Sequence, residues 1–470
     1  MKAHGLPLIA FLGLGVTALA GEDPLSKWSE VSIPSDVLSS DWDGLRPWLA
    51  QHGLGLSLSY VGEVLGNTTG GLRRAASYEG LVTLGLDADP NKIAGWRGAR
   101  FHVLGYYPHG AGITQKALGD ISVSSSIDAY DSIRLQALWV EQGVGEGNLS
   151  LRAGLLAVDD EFYQTPMENI FVRSNFGWSS ALGLNGPLPT YPYTAPALRL
   201  RAQPTSWSYV LLGAFDGNPA PGVFPDPSPN AVPSNEFNKH GTEWALRHDE
   251  GAFLIAEATF HFHDPPDPGA APASTGDGKK AVQEARGLFT SVKIGATYDT
   301  DTFSDAYDSG LIGLQSTGRP TLARAHGGDW SIYAMWDQEL YREPGTETQG
   351  LGAFLHATFL PPDRNAYDFS AEAGFVYTGL LPGRDSDIFG IGYNLIHSGA
   401  ANAAATRDAN HFDGTHVAIP DYEQAIEMTY NAHVRQGLWI QPDVQYIVHP
   451  GGSGAHGNAL VVGLRTTIVF

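Results

Sequence analysis

The sequence predicts an all-β chain closed into a transmembrane antiparallel β-barrel of about 16 strands. Three observations lead there. Segments of roughly 9–13 residues alternate apolar and polar side chains with a period of two, which suits tilted strands that cross a bilayer. The connections between these segments alternate between short and long. The stretch 458–470 is apolar on one parity to its last residue. There Leu460, Val462, Leu464, Ile468 and Phe470 share one face, and Gly463, Arg465 and Thr467 share the other. At an open edge in water such a strand invites unwanted pairing. As the closing strand of a barrel it has lipid on one side and water on the other.

Composition supports this class. The chain has 470 residues with 57 Gly and 30 Pro, and only 17% of them are charged against 43% hydrophobic. Many strands with one apolar face each give that balance; a helical membrane protein does not. The net charge of −22 excludes a nucleic-acid binder, which needs a basic footprint. There are no cysteines, which excludes disulfides and Cys-zinc sites. Residues 1–20 read as a secretory signal peptide, with Lys2 at the start, an apolar run over 6–16 and Ala18-Leu19-Ala20 as the cleavage site. That run is well short of the roughly 20 residues of a membrane helix.

In chain order, 21–52 reads as an N-terminal periplasmic segment. Trp42, Leu45 and Leu49 have the spacing of a short helix there. The barrel is expected over 53–470. Leu54, Leu56, Leu58 and Tyr60 alternate with Gly55, Ser57 and Ser59. Tyr78, Val82, Leu84 and Leu86 alternate with Ser77, Glu79 and Thr83. Phe101 and Val103 flank Arg100 and His102; Ile133, Leu135 and Trp139 are set against Arg134 and Gln136. Leu149, Leu151 and Leu155 oppose Ser150 and Arg152, and Leu198 and Leu200 oppose Arg199 and Arg201. After a strand over 207–215, nine more fall near 252–262, 288–298, 330–341, 351–359, 367–380, 388–396, 425–434, 438–448 and 460–470. With the N-terminus in the periplasm, the long connections lie outside and the short turns inside. The segment 263–286 breaks this rule, being long on the inner side, and 361–366 breaks it by being short on the outer side.

Several stretches resemble the carbohydrate-selective outer-membrane porin family called OprB. They are DWDGLRPWLAQHGL (41–54), FDGNPAP (215–221), GLLPGRDSDIFGIGY (379–393), EMTYNAHVRQGLWIQPDVQYIVHPGG (427–452) and the terminal GLRTTIVF. The resemblance implies a sixteen-stranded porin of a Gram-negative outer membrane with a constricted, sugar-selective channel. A final strand ending in Phe470 also resembles the signal by which the outer-membrane assembly machinery recognises its clients. The segment 263–286 departs from the family as an insertion, and His433 and Arg435-Gln436 stand where other polar residues are expected.

The channel lining follows from parity. Arg100, Arg134, Arg152, Arg199 and Arg201 all fall on the polar face of four successive strands, and a guanidinium facing hydrocarbon near the midplane costs about 2–4 kcal/mol. They are expected to form a basic ladder on the inner wall. The long connection 157–195 is expected to fold into the lumen. It brings Asp159, Asp160, Glu161 and Glu168 to pair with the ladder, and aromatics, among them Phe176 and Trp178, to pack inside or to offer a flat face to a sugar ring. Glu79 extends the polar lining, with Glu63, Lys293, Asp337, Glu339, Glu372, Glu427, Asp443 and Gln445 on other strands.

The expected function is passive diffusion of sugars and polyols, with weak transient binding and no cofactor, since a tightly held solute blocks a pore. A general porin is the alternative on the same fold. An outer-membrane enzyme is disfavoured: no Ser–His–acid motif is recognisable, and Asp159-Asp160 are ordinary loop acids rather than a glycosidase pair. His261 and His263 share a face and Asp264 follows them, but the sequence places no third ligand for a metal, and the pair reads as two lumen or rim histidines. Partners are sugars, polyols and lipid, and the barrel is either a monomer or a homo-oligomer.

Overall fold

In the computed structural model the described residues are 31, 36–186, 188–219, 238–244, 246, 251–263, 288–346 and 348–470. The segment 1–20 lies outside them, as does the insertion expected over 263–286 apart from its first residue, His263. Sixteen strands form one closed antiparallel barrel in simple sequence order. They are β1 (Leu54–Thr69), β2 (Ala75–Ala88), β3 (Ala99–Gly110), β4 (Arg134–Val144), β5 (Leu149–Leu156), β6 (Ala195–Thr205), β7 (Ser208–Asp216) and β8 (Ala252–Phe262). The second half continues with β9 (Thr290–Ser304), β10 (Ala325–Arg342), β11 (Gly350–Phe359), β12 (Tyr367–Thr378), β13 (Ile388–Ser398), β14 (Tyr422–Arg435), β15 (Leu438–Val448) and β16 (Ala459–Val469). No helix among the described residues is long and apolar enough to cross a membrane.

The period of two sorts side chains as expected. Val64, Leu84, Leu198, Ile294, Leu355, Val462 and Leu464 stand exposed on the outer wall, while Glu63, Glu79, Arg152, Arg199 and Arg465 are buried within. The seam closes between β1 and β16, where Glu63 lies opposite Arg465 and the two form an ion pair at 2.5 Å. None of these sixteen described strands has an unpaired edge, as a membrane interior demands.

One strand departs from simple alternation. Leu104 pairs with Ala137 and Gly105 with Leu135, so Gln136 is an extra residue on β4, a β-bulge. Arg134 and Gln136 face inward before it; Trp139 and Glu141 face inward after it. Trp139 therefore does not join the apolar outer face with Ile133 and Leu135, as strict parity predicts. It is 3% exposed and points into the barrel.

The end of the barrel that holds residues 36–52 and Phe470 has short turns, such as 145–148, 206–207 and 436–437. The opposite end carries the long connections. The sequence points to one connection folded inward; the structure has two. Residues 157–194 run across the lumen, and residues 111–133 fold in beside them. Ile113, Ala117 and Leu118 of the second loop are almost fully buried against wall residues Leu65, Ala425, Ile447 and Val461. Val172 of the first loop completes that cluster. In other connections at this end, α1 (Ala306–Gly313) and α2 (Ala400–Asp413) pack together through Leu311, Ala405 and Ala409, with the Tyr307 hydroxyl donating to Asp408 at 2.5 Å.

At the turn end, residues 36–52 lie against the seam. The Leu38 N–H donates to the Val469 carbonyl at 2.7 Å and the Gly437 N–H to Asp36 at 2.7 Å. Arg46, in the helix Leu45–Gln51, is 4% exposed and donates to the main-chain oxygen of Phe470.

Candidate channel constriction

Pairing register builds a charged row across four neighbouring strands. Arg100 of β3 is opposite Glu141 of β4, Glu141 is opposite Arg152 of β5, and Arg152 is opposite Arg199 of β6. Like charges directly opposite destabilise a sheet unless something neutralises them. Two carboxylates do so here. Glu141 accepts from Arg152 Nη2 at 2.8 Å and from Arg199 Nη2 at 2.8 Å. Glu161, from the in-folded loop, accepts from Arg199 Nε at 2.5 Å and Nη2 at 2.8 Å, and lies 3.3 Å from Arg152. Ser150 links the row by donating to Glu141 at 2.7 Å and accepting from Arg199 Nη1 at 2.9 Å. The Arg152 guanidinium lies 3.9 Å from the centre of the Trp139 ring, so the inward Trp139 forms its floor.

A narrow cleft beside this row is lined by Arg152, Asp160, Glu161, Phe162, Arg199 and Phe215 among others. Charges of both signs thus face the same space. Asp160 borders the cleft, and Asp159 beside it accepts from the Tyr191 N–H at 3.0 Å. Burial pushes the Asp159 carboxyl up to about 6. Burial and the neighbouring Asp159 push Asp160 up to about 7.

The in-folded loop is pinned from both sides. Glu257 of β8 accepts from the Tyr163 N–H at 2.8 Å and from the Tyr333 hydroxyl at 2.8 Å, and Lys293 lies 3.2 Å from it. Glu427 of β14 accepts from the N–H groups of Val172 and Arg173, at 2.5 and 3.1 Å. Arg173, 1% exposed, ties three segments together. It donates to Asp120 at 3.1 Å and Ser124 at 2.9 Å in the other in-folded loop, and to Gln445 of β15 at 3.3 Å. Glu168 meets His356 at 2.9 Å rather than any arginine of the row.

The loop aromatics are packed against the wall. Phe176 lies tilted against Phe171, with ring centres 4.3 Å apart, and sits edge-on to Phe354 at 6.0 Å. Trp178 sits edge-on to Tyr163 at 5.7 Å. The wall makes room with glycines: a methyl group at Gly392 would lie 2.6 Å from Phe176, and one at Gly390 2.5 Å from Ile170. Both rings are over nine-tenths buried, so neither turns an open face to the lumen.

The other predicted residues lie apart from the row. Arg201, one inward position below Arg199, donates to Gln203 at 3.1 Å and lies over Tyr209. Arg134 is on the far side of the bulge, among tyrosines. Glu79 is opposite Glu63, near the β1–β16 seam. His261 packs between Tyr209 and Phe289, and no group of three metal-ligating side chains occurs among the described residues. Sequence reasoning missed Glu141, Trp139 and Arg173. The bulge hides the first two by switching parity, and nothing in the local pattern sets Arg173 apart.

A closed sixteen-stranded barrel with an apolar outer wall, a polar inner wall and loops folded into its lumen defines a channel of the porin class. The sequence profile of the family described as carbohydrate-selective porin, OprB family, matches residues 73–470. This chain belongs to that family. It is similar to Porin B of Pseudomonas aeruginosa, with 27% identity over 98% of this chain and 95% of the relative. The high-pH structure of Pseudomonas putida OprB superposes with a TM-score of 0.78 at 25% identity, covering 93% of this chain and 99% of that one. The low-pH structure of the same protein gives 0.53 at 20% identity, covering 94% and 100%. The protein is a carbohydrate-selective porin of the Gram-negative outer membrane.

Proposed function

We propose that solutes are sorted at the row Arg100–Glu141–Arg152–Arg199, completed from the in-folded loop by Glu161 and Asp160. The observation that carries this is Glu161, a half-buried loop carboxylate held by two wall arginines at the edge of the cleft. A neutral sugar has no charge to steer it. It passes if polar groups replace its hydration as it sheds water. Paired guanidinium and carboxylate groups offer donors and acceptors for adjacent hydroxyls without a strong field of one sign. Their mutual pairing keeps solute binding weak, so diffusion through the pore stays passive.

The turn end faces the periplasm in this reading, with 21–52 beneath the barrel and residues 1–20 acting as the export signal. Recognition by the assembly machinery runs through β16 and Phe470. Arg201 and Glu79 line the approaches to the row. Phe176 and Trp178 act as anchors that fix the loop.

Flux into liposomes carrying the refolded protein tests the proposal. Glucose and a disaccharide are compared with a size-matched amino acid and a salt. Sugar entry that saturates, with poor ion conductance, is expected. Equal passage of all small solutes would overturn sorting at this row.

A further inference from the structure

Arg134 stands apart from every other buried arginine of the lumen. It is 2% exposed, and its Nη1 donates to the Tyr130 hydroxyl. Its Nε and Nη2 are buried without a partner, and among the described residues it forms no ion pair. An unpaired buried guanidinium is costly, because charge and donors both lose water. Those two nitrogens form one edge of the guanidinium fork, the edge that grips a carboxylate in parallel. This chain uses it so elsewhere. Arg199 holds both oxygens of Glu161 by Nε and Nη2, and Arg342 holds Glu339 by the same edge.

Aromatic rings surround the open edge. The Tyr130 and Tyr193 ring centres lie 5.8 and 5.4 Å from the guanidinium carbon and 6.1 Å from each other. Tyr106, opposite Arg134 in register, packs against Tyr191 at 5.9 Å. All four rings are half-buried and come from β3 and both in-folded loops. Ser132, at the end of the loop two residues before β4, and Gln136 on β4 each carry a buried oxygen without a partner.

We infer that this cage is a second solute site, on the loop side of the constriction, for a sugar bearing a carboxylate, such as a uronate. The carboxylate takes the Nε–Nη2 edge of Arg134. The sugar ring lies against Tyr130 and Tyr193, one of which turns aside to admit it. Ser132 and Gln136 meet hydroxyls. The inference rests on the porin reading, but it concerns a site distinct from the row.

The test is block of single-channel current by D-glucuronate, D-glucose and acetate, with the full-length mature protein in planar bilayers. Glucuronate is expected to block the unaltered channel at a concentration about tenfold lower than glucose or acetate. In Arg134→Gln, and in Arg134→Lys, which keeps the charge but loses the fork, that preference is expected to fall to about twofold or less. No glucuronate preference in the unaltered channel, a preference that survives both variants, or block by acetate equal to that by glucuronate would each overturn the site. If the Arg134 variants do not assemble, Tyr193→Ala is the second probe. Loss of the glucuronate preference there supports the cage, and retention overturns it. A failure of glucose to enter at all would count against the porin reading, and the dependence of glucuronate block on Arg134 would still decide the site.

Discussion

Arg199 on the wall and Glu161 on the in-folded loop are joined along a full edge, with Nε to Oε2 at 2.5 Å and Nη2 to Oε1 at 2.8 Å. Arg199 is 1% exposed, whereas the Glu161 side chain keeps 21% of its surface open. The buried partner fixes the position of the open one. The polar face offered to a solute is thus set by a residue the solute barely touches.

Glu161→Gln keeps the shape and removes one negative charge from the row. The excess of arginine over glutamate in the row then grows, and the anion-to-cation permeability ratio is expected to rise about threefold, with barrel assembly intact. Bilayer reversal potentials check this, and an unchanged ratio would remove Glu161 from the constriction.

Arg173→Ala removes the tie among the two in-folded loops and β15. It also leaves Asp120 and Glu423, 3.1 and 3.4 Å from the guanidinium, as buried charges without their partner. Breaking such a pair costs about 3–5 kcal/mol. The expected outcome is a lower melting temperature, a larger unitary conductance and reduced discrimination between glucose and a disaccharide. Unaltered conductance would show that the loops hold without this residue.

Gly392→Val puts a side chain where Phe171 and Phe176 rest, since even a methyl there would come within 2.9 Å of both rings. Overpacking of this kind costs about 1–3 kcal/mol. Loop displacement should appear as noisier, more frequently switching currents while the heat-modifiable gel shift of the barrel persists.

Asp160, with its carboxyl raised to about 7, is neutral below that pH and charged above it. Acidification through about pH 7 therefore removes negative charge beside Arg152, and anion preference should rise as pH falls. Asp160→Asn should flatten that profile near its acidic limit.

Leu84→Lys places a charge on the lipid face, at a cost of about 2–4 kcal/mol near the midplane, and should reduce assembly. Thr83→Lys, one residue back and facing inward, should assemble. Ser150 is unsuitable as the inward control, despite its polar parity, because it bridges Glu141 and Arg199. Equal assembly of both variants would contradict the assignment of faces.

The barrel was legible because lipid and water impose opposite demands on alternate residues, so Leu84, Leu198 and Val462 declared their face without a partner in view. The charged row was legible in part. Arg100, Arg152 and Arg199 obeyed simple parity, whereas Glu141 did not, because the bulge at Gln136 shifts everything after it by one. The second in-folded loop was hidden for a different reason. Ser122, Ser124 and Ser125 read as a solvated connection, yet they are buried, their polar groups satisfied by partners such as Asp120 and Ser180. Burial of small polar residues depends on what arrives from elsewhere in the chain, and local pattern carries no trace of that.

The contacts between residues 36–46 and residues 437–470 span some 400 positions of sequence. Their acceptors on the far side, the carbonyl of Val469 and the main-chain oxygen of Phe470, lie at the end of β16, the strand that closes on β1. Docking of the short helix therefore spans the seam, and it acts as a clasp across the finished ring. A barrel stalled one strand short would leave Arg46 without its partner and the clasp open.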